Sequence, residues 1–213
     1  MHALLTHLST RLPHVPQVLG FDDRGREMLS YLPGQVIDLE TEVLTPTQII
    51  ALVRWTRDFH AAVADFVHPG PWRYFPIRSA TIIGHNDIAP YNACFDGDQL
   101  TGVFDWDLSG PSTPLMELAF IAWNTVPLWS IDFHPVETAR RLELIAATYG
   151  SFGPIEILHA VPERIQLMLD GIPVAAAAGD AGMANLITAG EPKRSQRSLA
   201  RLVTRFPAIE SHL

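Results

Sequence analysis

One short hairpin constrains this chain more than any other feature. Two short runs, Ala93 to Phe95 and Leu100 to Phe104, are joined by Asp96-Gly97-Asp98. A turn of that composition between apolar runs predicts antiparallel pairing. Pairing folds the end of the second run back beside the start of the first. Asp105, which ends the second run, then returns close to Asn92. Asp87 lies earlier in the same loop, so three oxygen-bearing side chains converge.

That convergence suits phosphoryl transfer, which needs positioning and charge neutralisation more than covalent chemistry. Magnesium takes a few hard oxygen ligands and leaves its remaining positions to water and phosphate. An amide oxygen from Asn92 and a carboxylate from Asp105 would hold Mg2+ against a nucleotide. Asp87 would accept or orient the proton of an attacking hydroxyl.

Local patterns organise the rest of the chain. Ala3 to Leu12 predicts a short amphipathic helix, ended by Pro13 and Pro16. Gln17 to Gly20 and Glu27 to Leu32 predict two strands around the turn Asp22-Asp23-Arg24-Gly25, and Pro33-Gly34 stops the second. Thr45-Pro46 is a helix start, a cap followed by proline at the first helical position. That helix is expected to run to about Phe66, with His68-Pro69-Gly70-Pro71 closing it. Thr81 to Gly84 predicts a strand, and Gly110-Pro111 a break. Four helices are then expected, at about Pro114 to Val126, Pro135 to Tyr149, Pro154 to Leu169 and Lys193 onward. Pro162, Pro173 and Pro207 are expected to kink or interrupt them.

Composition sets outer bounds. A hydrophobic fraction of 47% over 213 residues supplies a sizeable core. The formal net charge of −8 makes nonspecific nucleic-acid binding a poor expectation, and suits solubility or a cleft for cationic substrates. The one cysteine, Cys94, excludes an intrachain disulfide and fits a reducing cytoplasm. No stretch approaches ~18 uninterrupted apolar residues, and Met1 to Leu12 lacks a signal-peptide pattern. Neither a membrane span, a membrane partner nor export is expected.

The stretch His85-Asn86-Asp87-Ile88-Ala89-Pro90-Tyr91-Asn92 resembles the His-x-Asp-x4-Asn loop of the aminoglycoside phosphotransferase/choline kinase family. Asp105-Trp106 resembles that family's metal-binding Asp-Trp/Phe pair. Gly110-Pro111 through Glu117-Leu118-Ala119 is similar to its Gly-x-Pro…Asp-Leu-Ala stretch. Four elements in order make the match specific. The resemblance implies an α+β, protein-kinase-like fold, mainly the helical C-terminal lobe with a short β-hairpin catalytic region. It implies a truncated N-lobe remnant and hinge at 1–34 and the helical lobe at 35–213. It implies Asp87 as base, with His85 in the catalytic set as a scaffold for the loop, and Asn92 and Asp105 as Mg2+ ligands. Ser30, Tyr31 and Leu32 stand where such kinases hold adenine through hinge backbone groups. The implied partners are ATP or GTP and a hydroxylated small molecule, an aminoglycoside-like compound, amino alcohol or sugar, cationic ones included.

The chain departs from that pattern ahead of Ser30, where it has no Gly-rich loop and no lysine. Its lysine is Lys193. Three explanations stand: a fragment of a longer protein, a truncated relative that binds without efficient transfer, or Arg24, Arg26 or another residue in the lysine's place. Glu117 stands where the family usually has Asp, a change expected to touch loop support more than chemistry. The non-catalytic alternative is an interaction module, and exposure of Val18, Leu19 and Leu29 would favour self-association.

Other residues read less sharply. Asp107 is either a second metal-shell or substrate group, or a solvated loop acid. Nine histidines include no pair at the His-Glu-x-x-His spacing of zinc helices. Cys94, Trp123 and Trp129 read as core, Phe59 and His60 as packing beneath the loop. Glu156, Asp170 and Asp180 stay open between substrate contact and solvated helix face.

Overall fold

The computed structural model describes residues 1–39, 41–68, 70–73, 77 and 79–213. Pro69, part of the expected helix stop, lies outside the described residues. The chain divides into two compact units, Met1–Glu117 and Leu118–Leu213. Residues 1–34 lie inside the first unit, and its boundary with the second falls within one helix.

The first unit starts with helix α1, His2–Leu8, which buries Leu4, Leu5 and Leu8. Strands β1, Val18–Phe21, and β2, Glu27–Leu29, pair antiparallel. Helix α2, Pro46–Ala62, begins at the expected cap. Thr45 Oγ1 accepts from the Gln48 N–H, and the Gln48 side chain accepts from the Thr45 N–H. This reciprocal capping box satisfies two N-terminal donors. Its apolar stripe, Ile49, Leu52, Val53 and Phe59, is fully buried.

The predicted hairpin is present as β5, Ala93–Asp96, and β6, Gln99–Val103, with Asp96 opposite Gln99. Gly97 adopts φ 57°, which the two-residue turn requires. The start of α2 clamps that turn: Thr45 Oγ1 donates to Asp98 Oδ1 at 2.7 Å and Gln48 Nε2 donates to the Gly97 carbonyl at 2.9 Å. A third strand, β3, Gln35–Val36, adds to β5. Strand β4, Ile82–Gly84, pairs with β7, Gly110–Ser112, so the segment expected as a break is a strand. Its Pro111 sits at an edge, where no ladder N–H is needed.

Helix α3, Pro114–Thr125, runs from the first unit into the second. The second unit contains α4, Pro135–Tyr149, as predicted, then α5, Pro154–Ala177, α6, Ala181–Thr188, and α7, Glu191–Glu210. Helix α5 passes through Pro162 and Pro173, and α7 through Pro207, so none of the three interrupts its helix. Each proline costs an internal hydrogen bond. Packing of Ile157, Leu158, Val161, Ile165 and Ile172 on the buried face of α5 offsets that loss. Arg164 is buried there with its guanidinium 4.3 Å from the Phe120 ring centroid. Among the described residues, no single helix is long and apolar enough to cross a membrane.

Candidate active site

The site lies wholly within the first unit, in the loop between β4 and β5. Glycine at 84 is what lets the loop be braced. A Cβ there would sit 2.7 Å from Ser112 Cβ and 2.9 Å from Glu117 Cδ. Without it, the Glu117 carboxylate reaches the loop backbone. Glu117 Oε2 accepts from the His85 N–H at 3.0 Å and Oε1 from the Asn86 N–H at 2.6 Å. His60 Nε2 stands 3.6 Å from the same carboxylate. Burial acts to raise the Glu117 carboxyl, but His60 and the Asn86 N–H outweigh it and hold it below the usual carboxylate range. Glu117 is therefore an anion bound by loop donors, which agrees with a role in loop support.

His85 is fully buried, and both ring nitrogens are used. Nε2 donates to the Phe104 carbonyl at 3.0 Å, and Nδ1 accepts from the Asp87 N–H at 3.3 Å. That pattern is the neutral tautomer, and burial pushes the imidazole pKa down. The ring lies 4.5 Å from Trp106, which packs edge-on against Phe59 at 5.3 Å. Trp106, backed by Phe59 of α2, thus forms an aromatic floor under the loop. Asn86 adopts φ 64° and donates through Nδ2 to the Leu108 and Gly110 carbonyls. It ties the loop to β7.

Asp87 faces the outside of this braced loop. Asn92 Nδ2 donates to Asp87 Oδ2 at 2.8 Å and to its carbonyl at 3.0 Å. Tyr91 Oη donates to Asp87 Oδ1 at 3.3 Å. With its amide nitrogen committed to Asp87, Asn92 has Oδ1 left as its ligand atom. Asn92 and the segment before Asp105 are joined: the Phe104 N–H donates to the Asn92 carbonyl at 3.0 Å. Asp105 itself is exposed and left-handed, φ 59° and ψ 63°. Among the described residues its carboxylate takes part in no hydrogen bond or ion pair. A non-glycine residue in that region costs of order 1 kcal/mol, and such strain is concentrated where function needs a side chain aimed.

Together these residues fit a hard divalent cation. Asn92 Oδ1 and the Asp105 carboxylate offer an amide and a carboxylate oxygen, a set suited to Mg2+ completed by water and phosphate. No cluster of three His, Cys, Asp or Glu able to hold a metal occurs among the described residues, so the residues do not form an all-protein cage. Asp107 pairs with Arg73, Oδ2 to Nη1 at 2.6 Å, in an exposed ion pair.

The segment expected as the hinge packs along the hairpin. Leu32 lies against Gly102, where a Cβ would come within 2.7 Å of the Leu32 Cβ, and the Pro33 carbonyl accepts from Thr101 Oγ1. Ser30 exchanges hydrogen bonds with Gln17: its N–H donates to the Gln17 carbonyl and its Oγ accepts from the Gln17 N–H, both at 2.8 Å. The Ser30 N–H is thereby spent within the sheet. Tyr31 is 85% exposed and its backbone lies outside the strand ladder, so Tyr31 and Leu32 are the segment's available groups. Arg26 is paired with Asp22, Nη2 to Oδ2 at 2.6 Å, and Arg24 is exposed in the same turn.

Two contributors escaped sequence reading. Tyr91 is unremarkable in a loop until the 3₁₀ turn Pro90–Asn92 swings its phenol back toward Asp87. Asn86 gives no signal beyond its tolerance of positive φ.

The profile of the Phosphotransferase enzyme family matches residues 71–155, the stretch holding β4, the loop, the hairpin and Glu117. The trifolitoxin immunity protein of Rhizobium leguminosarum bv. trifolii is 29% identical over 180 residues, 79% of this chain. The chain spans 61% of that relative's length. Among solved structures, amicoumacin kinase hAmiN in complex with AMP-PNP, Ca2+ and Ami aligns with a TM-score of 0.63 at 12% identity. That alignment covers 94% of this chain and 76% of the other. Wild-type aminoglycoside 2'-phosphotransferase-IIIa in its GDP complex gives 0.61 at 14% identity, covering 94% and 80%. At such identities the likeness is one of fold, an α+β kinase-like one.

Proposed function

We propose, for a chain that belongs to the phosphotransferase enzyme family and has its kinase-like fold, that it transfers a phosphoryl group from ATP or GTP to a hydroxyl of a small molecule. The observation that carries this reading is the pairing of Asp87 and Asn92 within a loop braced by Glu117, with the strained, unpaired Asp105 one residue past the strand bond to Asn92.

Asp87 is the group that meets the acceptor hydroxyl. Its Oδ2 is held by the Asn92 amide, which fixes the carboxylate plane, and its Oδ1 accepts from the exposed Tyr91 Oη. Oδ1 orients the acceptor O–H and takes its proton as the oxygen bonds to phosphorus. His85 acts through Asp87, holding its backbone N–H, and is a positioning residue. Asn92 and Asp105 would hold Mg2+, which supplies charge neutralisation on the phosphates. The backbone of Tyr31 and Leu32 would receive the purine ring. The acceptor is a hydroxylated compound, with cationic ones favoured by the net charge of −8. The cytoplasm is the compartment that fits a lone buried thiol, Cys94.

A second reading, binding without efficient turnover, is favoured by one specific observation. Arg26, the arginine expected as a stand-in for a phosphate-binding lysine, is already paired with Asp22, Nη2 to Oδ2 at 2.6 Å. Loss of one such electrostatic contact commonly costs about 3–4 kcal/mol, or 10²–10³ in rate.

The test is a panel of hydroxyl acceptors with Mg·ATP and Mg·GTP, read as acceptor-dependent nucleoside diphosphate release. Turnover abolished by Asp87→Ala, with the thermal melt retained, is the expected result. No turnover, together with a Mg2+-dependent nucleotide thermal shift, would replace transfer with binding. Neither turnover nor shift would overturn both readings.

A further inference from the structure

The second unit carries a surface that the phosphotransfer reading does not use. The end of α5 and all of α6 form a helical hairpin over residues 171–190, and its one charged residue is Asp180. That carboxylate is spent as the N-cap of α6, accepting from the Met183 N–H at 3.1 Å. Helix α6 has no buried residue at all. Val174, Leu186 and Ile187 stand 57%, 38% and 44% exposed. Apolar side chains grouped on a largely exposed hairpin with a single charge mark an interaction surface.

Helix α7 supplies the opposite character beside it. Residues 192–209 contain no Asp or Glu, yet hold Lys193, Arg194, Arg197, Arg201 and Arg205. Arg205 turns inward to the Ser130 and Phe133 carbonyls. At 3.6 residues per turn the other four fall within about 100° of arc, opposite the buried Ser195, Leu199, Leu202 and Ile209. Arg194 pairs with Glu191 at 2.6 Å, whereas Lys193, Arg197 and Arg201 form no ion pair among the described residues. In a chain of net charge −8, this is a local reversal of sign. The two characters meet at a cavity of about 420 Å3, where Leu169, Pro173 and Ile187 face Lys193.

We propose that this surface docks on the anionic face of a lipid bilayer. Charge complementarity selects the partner. Basic residues near an anionic membrane each add attraction, while the adjoining apolar side chains enter the interface. A second copy joined by a two-fold axis would set the same cations against each other. A nucleic acid would match the cations but leave Val174, Leu186 and Ile187 against phosphate and water.

The test is co-sedimentation of the full chain with vesicles of phosphatidylcholine alone and of phosphatidylcholine mixed with phosphatidylglycerol. The expected result is pelleting with the anionic vesicles, weakening as salt rises. The triple variant Lys193→Gln/Arg197→Gln/Arg201→Gln should lower partitioning by about 10²-fold, at roughly fivefold per cation. Leu186→Ser/Ile187→Ser should lower what binding remains at high salt, with unchanged far-ultraviolet circular dichroism. Equal pelleting with neutral vesicles, none with anionic ones, or pelleting indifferent to the triple variant would overturn the proposal. So would gel filtration in which the wild type is a dimer that Leu186→Ser/Ile187→Ser dissolves while vesicles stay unbound. Retention on duplex DNA with no vesicle binding would overturn it equally.

Discussion

The loop between β4 and β5 and the α5–α6 hairpin are opposite in how they are held. The loop is braced by side chains with named partners. Glu117 takes two backbone N–H groups, His85 spends both ring nitrogens, and Asn86 ties to β7. Helix α6 of the hairpin is held by backbone bonds and one cap, and none of its residues is buried. A site that must hold two aspartates in fixed positions needs the first arrangement. A surface that meets a soft partner is built from the second.

The sharpest way to break this contrast is Glu117→Ala. It leaves two buried N–H groups and His60 without their anion, and should destabilise the chain by about 3–5 kcal/mol in urea unfolding. A loss below about 1 kcal/mol would show the loop to be held by its other bonds. Trp106→Ala, which empties the aromatic floor, should cost about 3–5 kcal/mol as well. It should lower turnover with it, since His85 rests on that ring.

Acid should act on the loop before the hairpin. The folded pKa of His85 is depressed, so its contribution is complete above the unfolded value near 6.5 and fades as pH falls below it. Glu117 is also depressed, so its contribution is lost below about 4.5. Unfolding midpoints should therefore fall from pH 7 to pH 4, and a Glu117→Gln variant should flatten the lower part of that curve. Hydrogen exchange should show His85 and Asn86 amides losing protection first, with those of α6 unchanged.

Thr45→Ala removes both the cap of α2 and the bond to Asp98, for a loss of about 1 kcal/mol by thermal melt. The smallest effect belongs to the hairpin. Leu186→Ser/Ile187→Ser should change stability by no more than about 0.5 kcal/mol per site, because neither side chain is buried. A larger loss would mean that the hairpin packs more tightly than its exposure indicates.

Much of the fold was legible because its signals are local. Thr45-Pro46 named the start of α2, and Asp96-Gly97-Asp98 the turn of the hairpin. Pro135 to Tyr149 was read to its ends, because Pro starts it and Gly150 caps it at φ 90°. The misses share a cause. Strand β3 is two residues long and exists only because β5 offers an edge. Gly110-Pro111 punctuates in isolation, yet forms β7 once β4 lies beside it. Pro162, Pro173 and Pro207 forbid little when the rest of the helix face is buried. Helix α6 is eight residues long and buries none of them, so no periodic stripe announces it.

The sequence by itself determined the chemistry on offer: the spacing of Asp87, Asn92 and Asp105, and a hairpin whose turn would bring the last two together. Spacing and turn composition act through neighbours along the chain, so they survive without coordinates. Tertiary structure alone decided which atoms point where. It spends the Asn92 amide on Asp87, turns Asp105 into a left-handed, unpaired position, and brings Glu117 under the loop through a gap that only Gly84 leaves open. Those outcomes depend on contacts between residues far apart in sequence, whose energies are set by burial and by the satisfaction of polar groups.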